Sequence, residues 1–72
     1  MKVTKLSARN VLKGKVKSVQ DGAVNSEVIV QLPAGIEMVS IITKTAAQKL
    51  GLKYGKEVYA IIKATNVILG TD

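Results

Sequence analysis

The residues that could do chemistry gather first in Ser7-Ala8-Arg9-Asn10, which sets a hydroxyl, a guanidinium and a carboxamide within four positions. These donors differ in reach, and no carboxylate stands among them to neutralise the charge. Such a set suits an oxygen-rich anion, and it would serve equally as a polar lead-in to a strand. A second donor source is Thr43-Lys44-Thr45-Ala46, where a helix start would point backbone N–H groups outward. Helix starts more often hold only their own cap and water. Lys63, near the end of the chain, offers a further cation.

Other chemistries lack their parts. With no histidine and no cysteine, the usual nucleophile–base pairs and thiolate metal sites are absent. Asp21, Glu27, Glu37, Glu57 and Asp72 are spread singly, so neither a paired-carboxylate mechanism nor a bare-cation site is expected. There is no glycine-rich phosphate loop. The chain reads as a binding protein and not an enzyme, with no covalent cofactor.

These groups must be positioned by short elements. After a lead that includes an edge strand at Val3-Thr4-Lys5-Leu6, a period-two pattern begins at Leu12. Leu12, Gly14, Val16 and Ser18 share one face, and Lys13, Lys15, Lys17 and Val19 the other. Gly14 marks a bend or a close backbone approach. Asp21-Gly22 signals a tight turn with positive φ angles. The next strand runs from Val24 to Leu32, with Val24, Ser26, Val28, Val30 and Leu32 on one face. Pro33-Ala34-Gly35 makes a second turn, and a third strand covers Ile36 to Ile42. Thr43 to Leu52 reads as a short helix, with Thr45/Gln48 spaced as a capping box, Thr43 as a competing cap and Gly51 as the stop. A fourth strand spans Glu57–Lys63, and a short fifth Val67-Ile68-Leu69.

Five strands and one short helix predict an all-β, mostly antiparallel barrel of oligonucleotide/oligosaccharide-binding (OB) type, a single domain over residues 1–72. A chain of 72 residues without disulfides builds a weak core, yet 47% of its residues are hydrophobic. Ile29, Val39, Ile41, Ile61 and Ile68 fall on outward faces, where they read as a subunit interface. Oligomerisation is expected. The net charge of +6 favours anionic partners. Nucleic acid is one, but stacking platforms need aromatics and only Tyr54 and Tyr59 are present. A purely structural oligomerisation module is a third option. No apolar run is long enough for a signal peptide or a membrane span, so a soluble cytoplasmic protein is expected. Hydrogen bonds to charged groups contribute about 1.5–3 kcal/mol each, so about four to six organised donors would reach micromolar affinity for a small oxyanion. A domain this small has no deep pocket, and the donors would have to meet between subunits.

Ser7-Ala8-Arg9-Asn10-x-Leu12-x-Gly14-x-Val16 resembles the opening signature of the molbindins, small molybdate-binding proteins of the Mop family within the TOBE group. Ser40-Ile41-Ile42-Thr43, Leu50-Gly51-Leu52 with Gly55-Lys56-Glu57-Val58, and Ile62-Lys63-Ala64-Thr65-x-Val67 extend the likeness in order over nearly the whole chain. The resemblance implies a homohexamer, a trimer of dimers, that stores molybdate or tungstate at subunit interfaces. Carried over by position, Ser7, Arg9 and Lys63 would be the principal ligands, completed by Thr43 and the backbone around Ala46. Some relatives have serine at the positions of Ala46 and Ala64, so here those side chains bring no hydroxyl. Asn10 and Ala8 would line a second kind of site near the threefold axis.

Overall fold

One long strand, β1 (Asn10–Asp21), carries the fold by pairing at both of its ends. The computed structural model describes residues 5–72. The first half of β1 pairs antiparallel with β4 (Glu57–Ile62), from Asn10 opposite Ile62 to Lys15 opposite Glu57. Its second half pairs antiparallel with β2 (Asn25–Gln31), from Lys15 opposite Gln31 to Asp21 opposite Ser26. Outside β2 lies β3 (Glu37–Thr43), so the sheet order is β3-β2-β1-β4. The short helix α1 (Lys44–Leu50) follows β3 and packs on β2 and β3.

To serve two neighbours, β1 has to bend. Gly14 allows the close approach, since a Cβ there would sit 2.7 Å from the Gln31 carbonyl oxygen and 2.8 Å from Val30 Cγ1. A β-bulge follows, because Val16 faces Val30 while Ser18 faces Ile29, leaving Lys17 as the extra residue. The bulge overturns the expected faces of β1. Beyond Lys17 the alternation slips by one, Ser18 is exposed, and Val19 joins the core instead.

Alternation in β2 is as expected, with Ser26, Val28, Val30 and Leu32 buried, although Val24 is exposed. Val16, Val28, Val30 and Leu32 form the core, flanked by Val19, Met38, Ile42, Leu52 and Val58. Buried Ser26 donates its hydroxyl hydrogen bond to the Asp21 carboxylate, so the one buried polar side chain among the described residues is satisfied. The lysines of β1 are not left to repel one another: Lys13 pairs with Glu57 at 3.3 Å and Lys17 with Glu37.

The turns use their glycines in different ways. Gly22 does not adopt the positive φ expected of it. It closes the β1–β2 hairpin through its N–H to the Asn25 carbonyl, where a Cβ would stand 3.1 Å from that oxygen. At Pro33–Gly35, a 3-10 turn, both Ala34 (φ 66°) and Gly35 (φ 76°) are left-handed. Helix α1 is capped by Thr43, whose hydroxyl oxygen accepts from the Ala46 N–H at 3.0 Å. Thr43 therefore displaces the Thr45/Gln48 capping box, because the helix already starts at Lys44. Gly51 ends it in the left-handed conformation, and Lys56 Nζ donates to the Leu50 carbonyl at 2.6 Å.

The fifth strand is absent from the described residues, and so is the leading edge strand. Val3 and Thr4 lie outside the described residues, while Lys5 and Leu6 are not strand. After the 3-10 turn Ala64–Asn66, Val67, Ile68 and Leu69 run unpaired, 47%, 93% and 88% exposed. Their apolar character was visible in the sequence, but a strand needs backbone pairing, and this segment pairs with neither edge of its own sheet. The result is a curled half-barrel with two open edges, β3 and β4. Between them lies an apolar cleft of about 270 Å³ floored by Val28 and Val30 and walled by Met38, Ile42, Val58 and Ile62.

Because Gly14 is enclosed by backbone and core, Gly14→Ala should destabilise the fold by about 1–3 kcal/mol, the usual cost of overpacking. Chemical unfolding of the two proteins measures this, and a difference near zero would show that the bend of β1 tolerates a Cβ.

Candidate functional site

The candidate residues fall into two groups at opposite ends of the sheet. The β1–β4 ladder stops at Asn10 opposite Ile62, and the Asn10 side-chain amide donates to the Ile62 carbonyl at 3.3 Å. Arg9 and Lys63 are the next residues outward on the two strands, so they leave the sheet at the same end. Ser7 and Ala8 precede Arg9 there, and Ala64 follows Lys63. Lys63 is still extended (φ −65°, ψ 138°) before the 3-10 turn begins.

Arg9 and Lys63 are both exposed and make no hydrogen bond or ion pair with the described residues. This sets them apart from Lys13 and Lys17, each matched to a glutamate on a neighbouring strand. Like charges just beyond the ends of neighbouring strands repel, and no carboxylate among the described residues pairs with either. Exposed Ser7 adds a hydroxyl to the same end. That end is a donor-rich, acceptor-poor patch open to solvent.

Thr43 and Ala46 are not part of it. Thr43 closes β3 opposite Asn25, at the end where β1 finishes with Asp21 opposite Ser26. The Lys44 N–H donates to the Val24 carbonyl at 2.8 Å, which fixes the start of α1 there. The Ala46 N–H is already committed to the Thr43 hydroxyl oxygen. What Thr43 keeps is its own O–H, a donor that the cap does not use. Asn10 likewise commits one amide hydrogen to Ile62, so half of its donor capacity is structural.

Ala64, exposed, has its carbonyl engaged by the Val67 N–H at 3.3 Å. No group of three or more carboxylate, histidine or cysteine side chains able to hold a cation occurs among the described residues. No helix among them is long and apolar enough to cross a membrane. The pairing of Lys13 and Lys17 with glutamates also blunts the stripe that a nucleic-acid backbone would use. Sequence spacing missed that pairing: Glu37 and Glu57 are far from the lysines in the chain, and only strand register brings them alongside.

Comparison with known proteins agrees with this architecture. The TOBE domain family matches residues 6–69. A probable molybdenum-pterin-binding protein of Haemophilus influenzae is 47% identical over 68 residues, covering 94% of this chain and 99% of the relative. Among solved structures, the cytoplasmic molybdate-binding protein ModG, with molybdate bound, superposes with a TM-score of 0.91 at 53% identity, over 94% of this chain and 48% of that one. MopII from Clostridium pasteurianum superposes with a TM-score of 0.87 at 39% identity, over 93% and 100% of the two chains. The match to the family model over most of the chain, the relatives at this level of identity and the shared half-barrel place the chain in the TOBE family and, within it, among the Mop-type molbindins.

Proposed function

We propose that this protein binds molybdate or tungstate between copies of itself and serves as a cytoplasmic store for the oxyanion. The observation that carries this is the pair Arg9 and Lys63, two exposed cations side by side with no acidic partner among the described residues. A tetrahedral dianion supplies the charge they lack. Ser7 adds a neutral donor, and Thr43 of a second copy adds another through its free O–H. The Ala46 N–H contributes only by giving up its bond to Thr43, so it ranks below the others. Ala64 offers backbone alone, without a hydroxyl.

A site of this kind has to be shared, because one chain carries its donors at two opposite ends. That split, together with the exposed Val39, Ile41 and Ile61, supports self-association; the form that the resemblance to the molbindins implies is a homohexamer built as a trimer of dimers. Near its threefold axis Ala8 and Asn10 would line the second kind of site, with Asn10 contributing what the Ile62 carbonyl leaves free. The molybdate held by ModG, a relative of the same fold, supports the choice of ligand. The relatives are named as binding proteins, which supports a role in storage and not in catalysis.

Selectivity follows from a site rich in donors and without a carboxylate. Molybdate and tungstate are fully deprotonated at neutral pH, whereas phosphate retains a proton that wants an acceptor. A site whose charged groups are all cations, with only neutral hydroxyl and amide oxygens as acceptors, pairs that proton poorly and disfavours phosphate. Sulfate is also deprotonated, and only its smaller size excludes it.

Calorimetry should therefore show molybdate and tungstate binding, and phosphate at least about a hundredfold weaker, which corresponds to the loss of one or two charged hydrogen bonds. Equal affinity for phosphate would overturn this basis of selectivity. Arg9→Ala should lower molybdate affinity at least about tenfold for the same reason. Because Arg9 has no partner among the described residues, the same variant should unfold within about 0.5 kcal/mol of the parent. Unchanged binding in Arg9→Ala would remove Arg9 from the site.

A further inference from the structure

From Met38 to Lys56 the chain carries four lysines and no aspartate or glutamate. Lys44, Lys49 and Lys53 make no ion pair with the described residues, and Glu57, next in the chain, is held by Lys13 at 3.3 Å. Lys49, Lys53 and Lys56 are exposed and lie where α1 ends and the turn after it begins. Two apolar side chains are open to solvent at the same place, Leu50 at 58% and Tyr54 at 83% exposure.

The turn that displays Tyr54 is held firmly. The Lys56 N–H donates to the Lys53 carbonyl at 3.1 Å, and Gly55 (φ 84°) supplies the left-handed third position of a type II turn. The Gly55 N–H donates to the Val16 carbonyl at 2.8 Å and the Val16 N–H to the Lys56 carbonyl at 2.9 Å. Val16 is a core residue of β1, so the turn is stitched to the centre of the fold. Lys56 Nζ reaches back to the Leu50 carbonyl, which ties the turn to the end of α1. A ring on so fixed a support loses little freedom when a partner covers it. At 83% exposure it adds little to the burial of its own chain.

We propose that the end of α1 and the Lys53–Lys56 turn form a docking surface for an acidic segment of a protein partner, an apolar side chain of which packs on Tyr54 and Leu50 while its carboxylates meet Lys49, Lys53 and Lys56. This goes beyond the oxyanion reading and does not depend on it. Tyrosine is a residue on which protein contacts concentrate their energy, and unmatched lysines around it select a partner of opposite sign. Nucleic acid fits less well, because a single ring stacks a single base and makes no platform. An anionic membrane would need a wider apolar face than two side chains provide. A second copy has little acid to offer. Of the described acidic side chains, Glu37 and Glu57 pair with lysines and Asp21 accepts from Ser26, which leaves Glu27 and Asp72.

Nuclear magnetic resonance on the isotope-labelled, full-length, assembled protein tests this with a short synthetic polyglutamate peptide that carries one central leucine. Amide shifts on titration should concentrate between Lys49 and Lys56, and added salt should weaken the binding. The same peptide without its leucine should bind more weakly. Tyr54→Ala should weaken the peptide at least about fivefold and Lys53→Glu at least about tenfold, both with the parental native mass. Shifts spread equally over Lys13, Lys15 and Lys17, or parental binding in Tyr54→Ala, would overturn the proposal. Tighter binding at the same residues by a thymidine oligonucleotide or by phosphatidylglycerol vesicles would overturn it in favour of a nucleic-acid or lipid contact. A lower native mass in Tyr54→Ala would make the turn a contact between copies and overturn it equally. If Tyr54→Ala does not fold, Lys53→Glu and the shift pattern of the parent decide.

Discussion

Everything in this fold depends on β1 being shared end to end. Its first half belongs to β4 and its second half to β2, and the two ladders overlap only at Lys15. A flat strand could not serve both, since a four-stranded sheet this small has to curl to enclose any core. Gly14 removes the side chain that would collide with the Gln31 carbonyl, and the bulge at Lys17 adds the local twist. The same bend carries the site's two halves apart. Whatever pairs with the start of β1 ends up distant from whatever lies beside its finish.

Charge is arranged by the same register. Across the overlap run Glu57, Lys15, Gln31 and Glu37 in one row, with Lys13 and Lys17 on either side. Those exposed ion pairs contribute little to stability, on the order of 0–1 kcal/mol each. Their effect is on location: glutamates on neighbouring strands match Lys13 and Lys17, whereas Arg9 and Lys63 make no ion pair with the described residues.

Much of this was legible in the sequence, and the exceptions have physical reasons. The alternation of β2 is a local property, and Val28, Val30 and Leu32 are buried as the pattern requires. The helix could be placed from its ends because a threonine cap and a glycine stop are also local. The bulge was not visible, since one extra residue in Lys15-Val16-Lys17-Ser18-Val19 leaves an alternating pattern that looks unbroken. Gly22 shows that a turn glycine can be needed for space and not for φ. Val67-Ile68-Leu69 looked like a fifth strand because strand character is intrinsic to the residues, whereas pairing is not. For the site, residue types were readable, while the separation of Thr43 from Arg9 and Lys63 is a matter of topology. The resemblance to molbindins supplied the group of donors, and only strand order shows that one chain cannot close it.

The weak core and the divided site have the same origin. A chain that, among its described hydrophobic residues, buries only Val16, Val28, Val30, Leu32 and Ala47 leaves Val39, Ile41, Ile61, Ile68 and Leu69 in solvent. Small domains without disulfides or structural metals recover stability by burying such residues against one another between copies. Each contact that does so also brings one end of a sheet towards another chain, and the ends are where the unmatched donors lie. A larger, self-sufficient barrel would have closed its edges internally and kept its cations solvated. The proposed site draws on that incompleteness, because donors at opposite ends of one chain are free to converge between two.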